Sequence, residues 1–107
     1  MPARTRPDAV FDALADPTRR RIVERLGRAP ATAGELAERL PVTRQAVVKH
    51  LALLETAGLV DGVREGRRVV YTLTPAPFAE AAQWMHDVGA AWDRRLERLS
   101  TRFKTSR

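Results

Sequence analysis

Residues 42–60, VTRQAVVKHLALLETAGLV, decide how this chain is read. At about 100° per residue, the period of an α-helix, Val47, His50, Leu51, Leu54 and Ala57 fall on one side, with Ala46 and Leu53 at its margins. Thr43 stands where a helix cap belongs, and Gly58 lies just past the end. The opposite side carries Arg44, Gln45, Val48, Lys49 and Ala52, and no acidic residue appears until Glu55. Such a face suits a DNA major groove. Arginine bonds guanine O6 and N7 in bidentate fashion, glutamine does the same with adenine, and an apolar residue such as Val48 meets a thymine methyl. Lys49 suits a phosphate. A solvated helix face competes with this reading. Val48 weighs against it, because an exposed β-branched apolar side chain gains nothing from water. His50 falls on the packing side, which favours a partly buried structural histidine over a catalytic or metal-binding one.

The flanking segments extend the pattern upstream. TAGELAERL, residues 32–40, predicts a helix with Thr32 and Glu35 at capping-box spacing, Leu36 and Leu40 inward, and Pro41 as its stop. Residues 32–57 therefore have helix-turn-helix proportions, in which the start of the second helix reads bases. Before them, ADPTRRRIVERLG predicts a helix capped by Asp16, with Pro17 in its first turn, a stripe of Ile22, Val23 and Leu26, and Gly27 at its end. Arg19, Arg20 and Arg21 project from it in three directions. A solvated face paired with Glu24 is the favoured expectation there. A first short helix is expected over Asp8–Ala15, with Val10, Phe11 and Leu14 inward.

After Gly58 the period changes. Residues 59–73, LVDGVREGRRVVYTL, hold two β-rich runs joined at Glu65-Gly66, a two-residue hairpin turn in which glycine supplies positive φ. Arg64, Arg67 and Arg68 bracket the tip. Beside a recognition helix, such a hairpin reads as a wing along the phosphates or in a minor groove. The competing reading is an edge hairpin guarded by charge, and Asp61 and Glu65 lower its cationic character. A long helix is expected over residues 75–103. Phe78, Ala81, Met85, Val88, Trp92, Leu96, Leu99 and Phe103 recur along it at spacings of three and four. Part of that seam is expected to pack on the first helix. The whole is too long for one small domain to cover, so pairing with a second copy is expected. The fold class is mainly α with a small β-hairpin. It is a winged helix-turn-helix over residues 1–107, a single domain with a long C-terminal dimerisation helix.

Composition bounds the function. The 107 residues suit one domain and carry a net charge of +6, nearly all of it from arginine. That balance favours a polyanionic partner, although coding bias also enriches Ala and Arg. Cysteine is absent, which removes disulfides, thiolate metal sites and cysteine nucleophiles. No apolar run approaches the ~20 residues of a membrane span, and the first ten residues lack the apolar core of a secretory signal. His50 and His86 sit on different elements, and no nucleophile–base pair or phosphate loop is present. The expectation is no enzyme, no catalytic residue, no metal and no cofactor.

FDALADPTRRRIVERL, TAGELAERL, VTRQAVVKHLALLETAGLV and EGRRVVYTLTP together resemble the ArsR/SmtB-type winged-helix repressors, over roughly residues 11–103. The resemblance implies a cytoplasmic homodimer that binds double-stranded operator DNA and represses its own or a neighbouring operon, in many members under an effector. For this chain the effector is unidentified. Carried over by position, it places the DNA-reading face on Thr43, Arg44, Gln45, Val48 and Lys49, and the wing on residues 64–68. Val48 stands where the family commonly has a small hydroxyl residue. The metal-sensing branch needs cysteines that are absent, or a carboxylate and histidine pair for which the last helix offers only His86 beside Asp87. Two alternatives stay open: a winged-helix module that binds protein rather than DNA, and a metal-responsive repressor.

Overall fold

The computed structural model describes residues 6–105, with side chains over 7–102. Its elements are α1 (Arg6–Ala13), α2 (Pro17–Leu26), α3 (Ala33–Glu38), α4 (Arg44–Thr56), β1 (Val60–Glu65), β2 (Arg68–Leu73) and α5 (Pro75–Thr105). Local chemistry explains most boundaries. The Asp16 carboxylate accepts hydrogen bonds from the Thr18 and Arg19 backbone N–H groups, at 2.7 and 3.2 Å. Thr32 and Glu35 close a capping box at the start of α3. Thr43 Oγ1 accepts from the Ala46 N–H at 3.1 Å. At the end of α4, Gly58 adopts φ of 79°. Its N–H donates to Glu55 O and the Leu59 N–H to Leu54 O, both at 2.9 Å. That crossed pair is a Schellman stop, and the apolar contact it calls for is supplied by Leu54 and Leu59, both fully buried.

The core is built where these helices cross. Ile22, Leu36, Leu51, Leu54, Leu59, Val10 and Val47 are its fully buried side chains, and none of the described residues buries a polar or charged side chain there. β1 and β2 form an antiparallel pair in the register Val60↔Leu73 to Glu65↔Arg68. A third strand position comes from Ala31, just before α3. Its N–H donates to Tyr71 O at 3.1 Å, and the Tyr71 N–H donates back at 2.9 Å.

Four expectations need correction. First, α1 is displaced towards the N-terminus, ending at Ala13. The carbonyls that its end leaves open are met by arginines: Arg19 Nε donates to Ala13 O at 2.6 Å, and Arg20 Nη1 to Leu14 O at 2.7 Å. Two of the three arginines expected on a solvated face therefore cap the preceding helix. Second, Phe11 is not inward. It is 36% exposed and meets Trp84 edge-on, with ring centroids 5.6 Å apart. Third, the hairpin turn is Gly66-Arg67, one residue later than expected, because Glu65 already pairs with Arg68. Only Gly66 takes positive φ, 63°, as a type II′ turn requires. Fourth, Phe78 packs against the core and Ala81 is 2% exposed, so these two seam positions are covered by the chain itself.

Beyond Trp84, which still meets Phe11 of α1, the remainder of α5 projects from the domain. A 31-residue helix is about 46 Å long, and the described chain measures 72 × 33 × 22 Å. Its radius of gyration is 19.2 Å, against the ~13 Å of a compact chain this size.

Two predictions follow from the core and the caps. Leu51→Ala empties a fully buried site and is expected to cost about 2–5 kcal/mol in denaturant unfolding; a loss well under 1 kcal/mol would mean the helices are not packed as described. Backbone hydrogen bonds, from Arg19 N–H to Asp16 and from Thr32 N–H to Glu35, hold both carboxyls below their ordinary values of 3.8 and 4.5. Their contribution is full above those values and is lost as pH falls through the lowered ones. Melting temperature should therefore drop below about pH 4, and less steeply in Asp16→Asn.

Candidate nucleic-acid interface

The N-terminal turns of α4 stand clear of the domain because Val47, Leu51 and Leu54 anchor the opposite side at 0% exposure. Thr43, Arg44, Gln45, Val48 and Lys49 are all exposed. Val48 is 46% exposed although apolar, on a surface otherwise made of charged and amide groups.

The wing is set beside this face by the Ala31–Tyr71 bridge. Between them lies a groove of about 450 Å³ in which Arg44 and Val48 of α4 face Arg67, Arg68, Val69 and Tyr71 of the hairpin. Its floor is the start of α3, including Thr32 and Glu35. Of the residues singled out from sequence, Arg44, Val48, Arg67 and Arg68 therefore share one concavity. Gln45 and Lys49 do not line it. Arg64 is turned back onto its own hairpin, with Nε donating to Gly66 O at 3.4 Å.

The other six lining residues were not foreseen as part of a site, and two of them shape the groove most. Glu35 is one. Its carboxylate accepts the Thr32 N–H at 3.0 Å, and Arg68 and Arg25 nearby add to the effect of that bond in favouring the charged form. A fixed negative charge thus sits among the arginines and opposes indiscriminate binding of phosphate. Tyr71 is the other. A Cβ on Gly62 would lie 3.0 Å from the Tyr71 ring and 3.2 Å from Val69. The glycine leaves room for that ring beside β1. Capping-box spacing flagged Glu35 as a helix terminus, but nothing in the sequence placed it under the wing.

A wall of this kind, with a helix end exposing bidentate donors beside an arginine-bearing hairpin, has the composition of a surface for double-stranded nucleic acid: base-edge readers on the helix and phosphate contacts on the hairpin. Comparison with known proteins agrees. Residues 14–63 match the family model described as a helix-turn-helix domain. The chain is 48% identical over 90 residues to the HTH-type transcriptional regulator Rv2034 of Mycobacterium tuberculosis, covering 84% of this chain and 81% of that protein. It is 33% identical over 76 residues to the transcriptional repressor SdpR of Bacillus subtilis, covering 71% and 84%. Among solved structures, an ArsR-like transcriptional regulator from Rhodococcus sp. RHA1 superposes with a TM-score of 0.77 at 44% identity, covering 90% of this chain and 91% of that one. The chain belongs to the ArsR/SmtB-type winged helix-turn-helix regulators, and it is a DNA-binding regulator of transcription.

Proposed function

We propose that the chain acts in the cytoplasm as a homodimeric repressor of its own or a neighbouring operon, binding a palindromic operator. In this reading the contacts fall to Thr43, Arg44, Gln45, Val48 and Lys49 on α4 and to Arg64, Arg67 and Arg68 on the wing. The observation that carries it is the shared groove, where Arg44 and Val48 face Arg67 and Arg68. A major groove about 12 Å wide admits α4. With the helix seated there, the wing arginines lie over the adjoining backbone. Arg44 and Gln45 specify bases, and Lys49 and the wing arginines supply affinity.

Dimerisation is supported by the uncovered half of α5. Met85, Val88, Trp92, Leu96 and Leu99 are 39–55% exposed along one stripe. Arg95 lies over the Trp92 ring at 5.3 Å, which shields part of it. An apolar stripe of that length on a single chain is a surface for another; the helix continues past it, and the side chain of Phe103, also expected on the stripe, lies outside the described residues. A two-fold pair would present two α4 helices ~34–36 Å apart, matching half-sites one helical turn apart.

The deciding experiment is footprinting on DNA flanking the gene. A protected palindrome whose affinity falls steeply with salt supports the reading, and protection of no site refutes it. Arg44→Ala is expected to cost about 1–3 kcal/mol and to relax preference at one base position. Lys49→Ala should weaken all sequences alike and reduce the salt slope by about 1. Trp92→Glu should sediment as a monomer and bind operator weakly; an undisturbed dimer would rule out the α5 stripe as the interface.

A further inference from the structure

Leu53 contributes nothing to the core. It is 54% exposed, late on α4, and forms one edge of a cleft of about 330 Å³. Ala9, Asp12 and Ala13 of α1, Arg19 of α2, and Thr56 and Ala57 at the end of α4 complete its lining. The cleft is not part of the groove between α4 and the wing. Phe11 is two residues from both Ala9 and Ala13, so it stands on another side of α1, where it meets Trp84.

Arg19 is the cationic group of this cleft, whose other polar residues are Asp12 and Thr56. Its Nε donates to Ala13 O at 2.6 Å and its Nη1 to His50 Nδ1 at 3.3 Å. Its Nη2 has no hydrogen-bond partner among the described residues. No side-chain nitrogen or oxygen among them is sealed away without one, so Nη2 is open to the cleft or to solvent. A guanidinium offers five N–H donors in a planar fork that fits a carboxylate in bidentate fashion. Cationic donors with spare capacity therefore line an otherwise mainly apolar cleft, at the small end of the range that holds small molecules.

We infer that this cleft binds a small apolar monocarboxylate, and that the acid acts as an effector. The hydrocarbon body lies between Leu53 and the two alanines of α1, and the carboxylate takes the Arg19 fork. Pairing there draws the guanidinium from Ala13 O and His50 Nδ1. Those two bonds tie the end of α1 and the N-terminal part of α2 to the middle of the DNA-reading helix. Loosening them favours a different seating of α4, and a ligand shifts that equilibrium only by its differential affinity for the two seatings. Asp12 opposes the anion, so binding is weak and tunable. The site belongs to the free chain, whereas its regulatory consequence rests on the operator-binding reading above.

The test is calorimetric titration of the DNA-free protein with benzoate and with isovalerate, against benzamide and isovaleramide. Saturable binding of the acids at millimolar concentration, with the amides weaker by about tenfold or more, is expected. Asp12→Asn should tighten the acids several-fold, and Leu53→Glu, at an exposed position, should abolish their binding without lowering the melting temperature. No saturable binding, equal binding of the amides, or weaker binding in Asp12→Asn would overturn the site. Anisotropy on an operator fragment then reads the consequence. Release of DNA by benzoate in the wild type and not in Leu53→Glu is expected. Acid binding with unchanged DNA affinity would overturn the effector role alone, while failure to bind DNA under any condition would overturn the operator reading and leave the cleft standing.

Discussion

Two backbone hydrogen bonds, between Ala31 and Tyr71, hold the side of this molecule that carries the arginine groove in register. A two-stranded hairpin is marginal alone in water. Joined to the residue that precedes α3, it becomes an extension of the helix-turn-helix unit. The bridge aligns β2 with the start of α3, and α3 in turn lies against α4. The Thr74 N–H, bonded to Leu59 O at 2.8 Å, fixes the base of the hairpin to the stop of α4. The separation between Arg44 and the wing arginines is therefore set by backbone geometry and not by the arginines themselves. Like charges would otherwise spread that groove.

What the sequence made legible is what neighbours in sequence decide. Asp16, Thr32 and Thr43 cap because each has its donor two or three residues away. Gly58 stops α4 because only a residue free to take positive φ completes the crossed bonds there. The exposed set on α4 followed from its period, since a helix anchored by Val47, Leu51 and Leu54 leaves its other side out. What stayed hidden depends on distant partners. One pair of backbone groups at Ala31 has no compositional signature. The closeness of Tyr71 to Gly62 depends on a register one residue away from the expected turn. Arg19 and Arg20 looked like a solvated run because the carbonyls they meet belong to another helix, whose end was placed two residues late. Phe11 read as core because its true neighbour, Trp84, lies more than seventy residues on.

The groove between α4 and the wing and the cleft between α1 and α4 share an economy of charge. Each puts an acidic residue beside its arginines: Glu35 next to Arg68 in the groove, Asp12 near Arg19 in the cleft. A net charge of +6 on 107 residues would favour any polyanion through long-range attraction. A carboxylate held beside arginines, as Glu35 is by the Thr32 N–H, reduces that attraction locally and leaves more to donors whose geometry matters.

The position of the uncovered stripe beyond the core has a bearing on how the molecule opens. Every side chain of the core lies between Val10 and Ala81. No side chain beyond Ala81 is needed to close that core, so the outer turns of α5 can fray without opening the head. Amide hydrogens there exchange through small local openings, while those around Leu51 and Leu54 wait for the head to unfold as a whole.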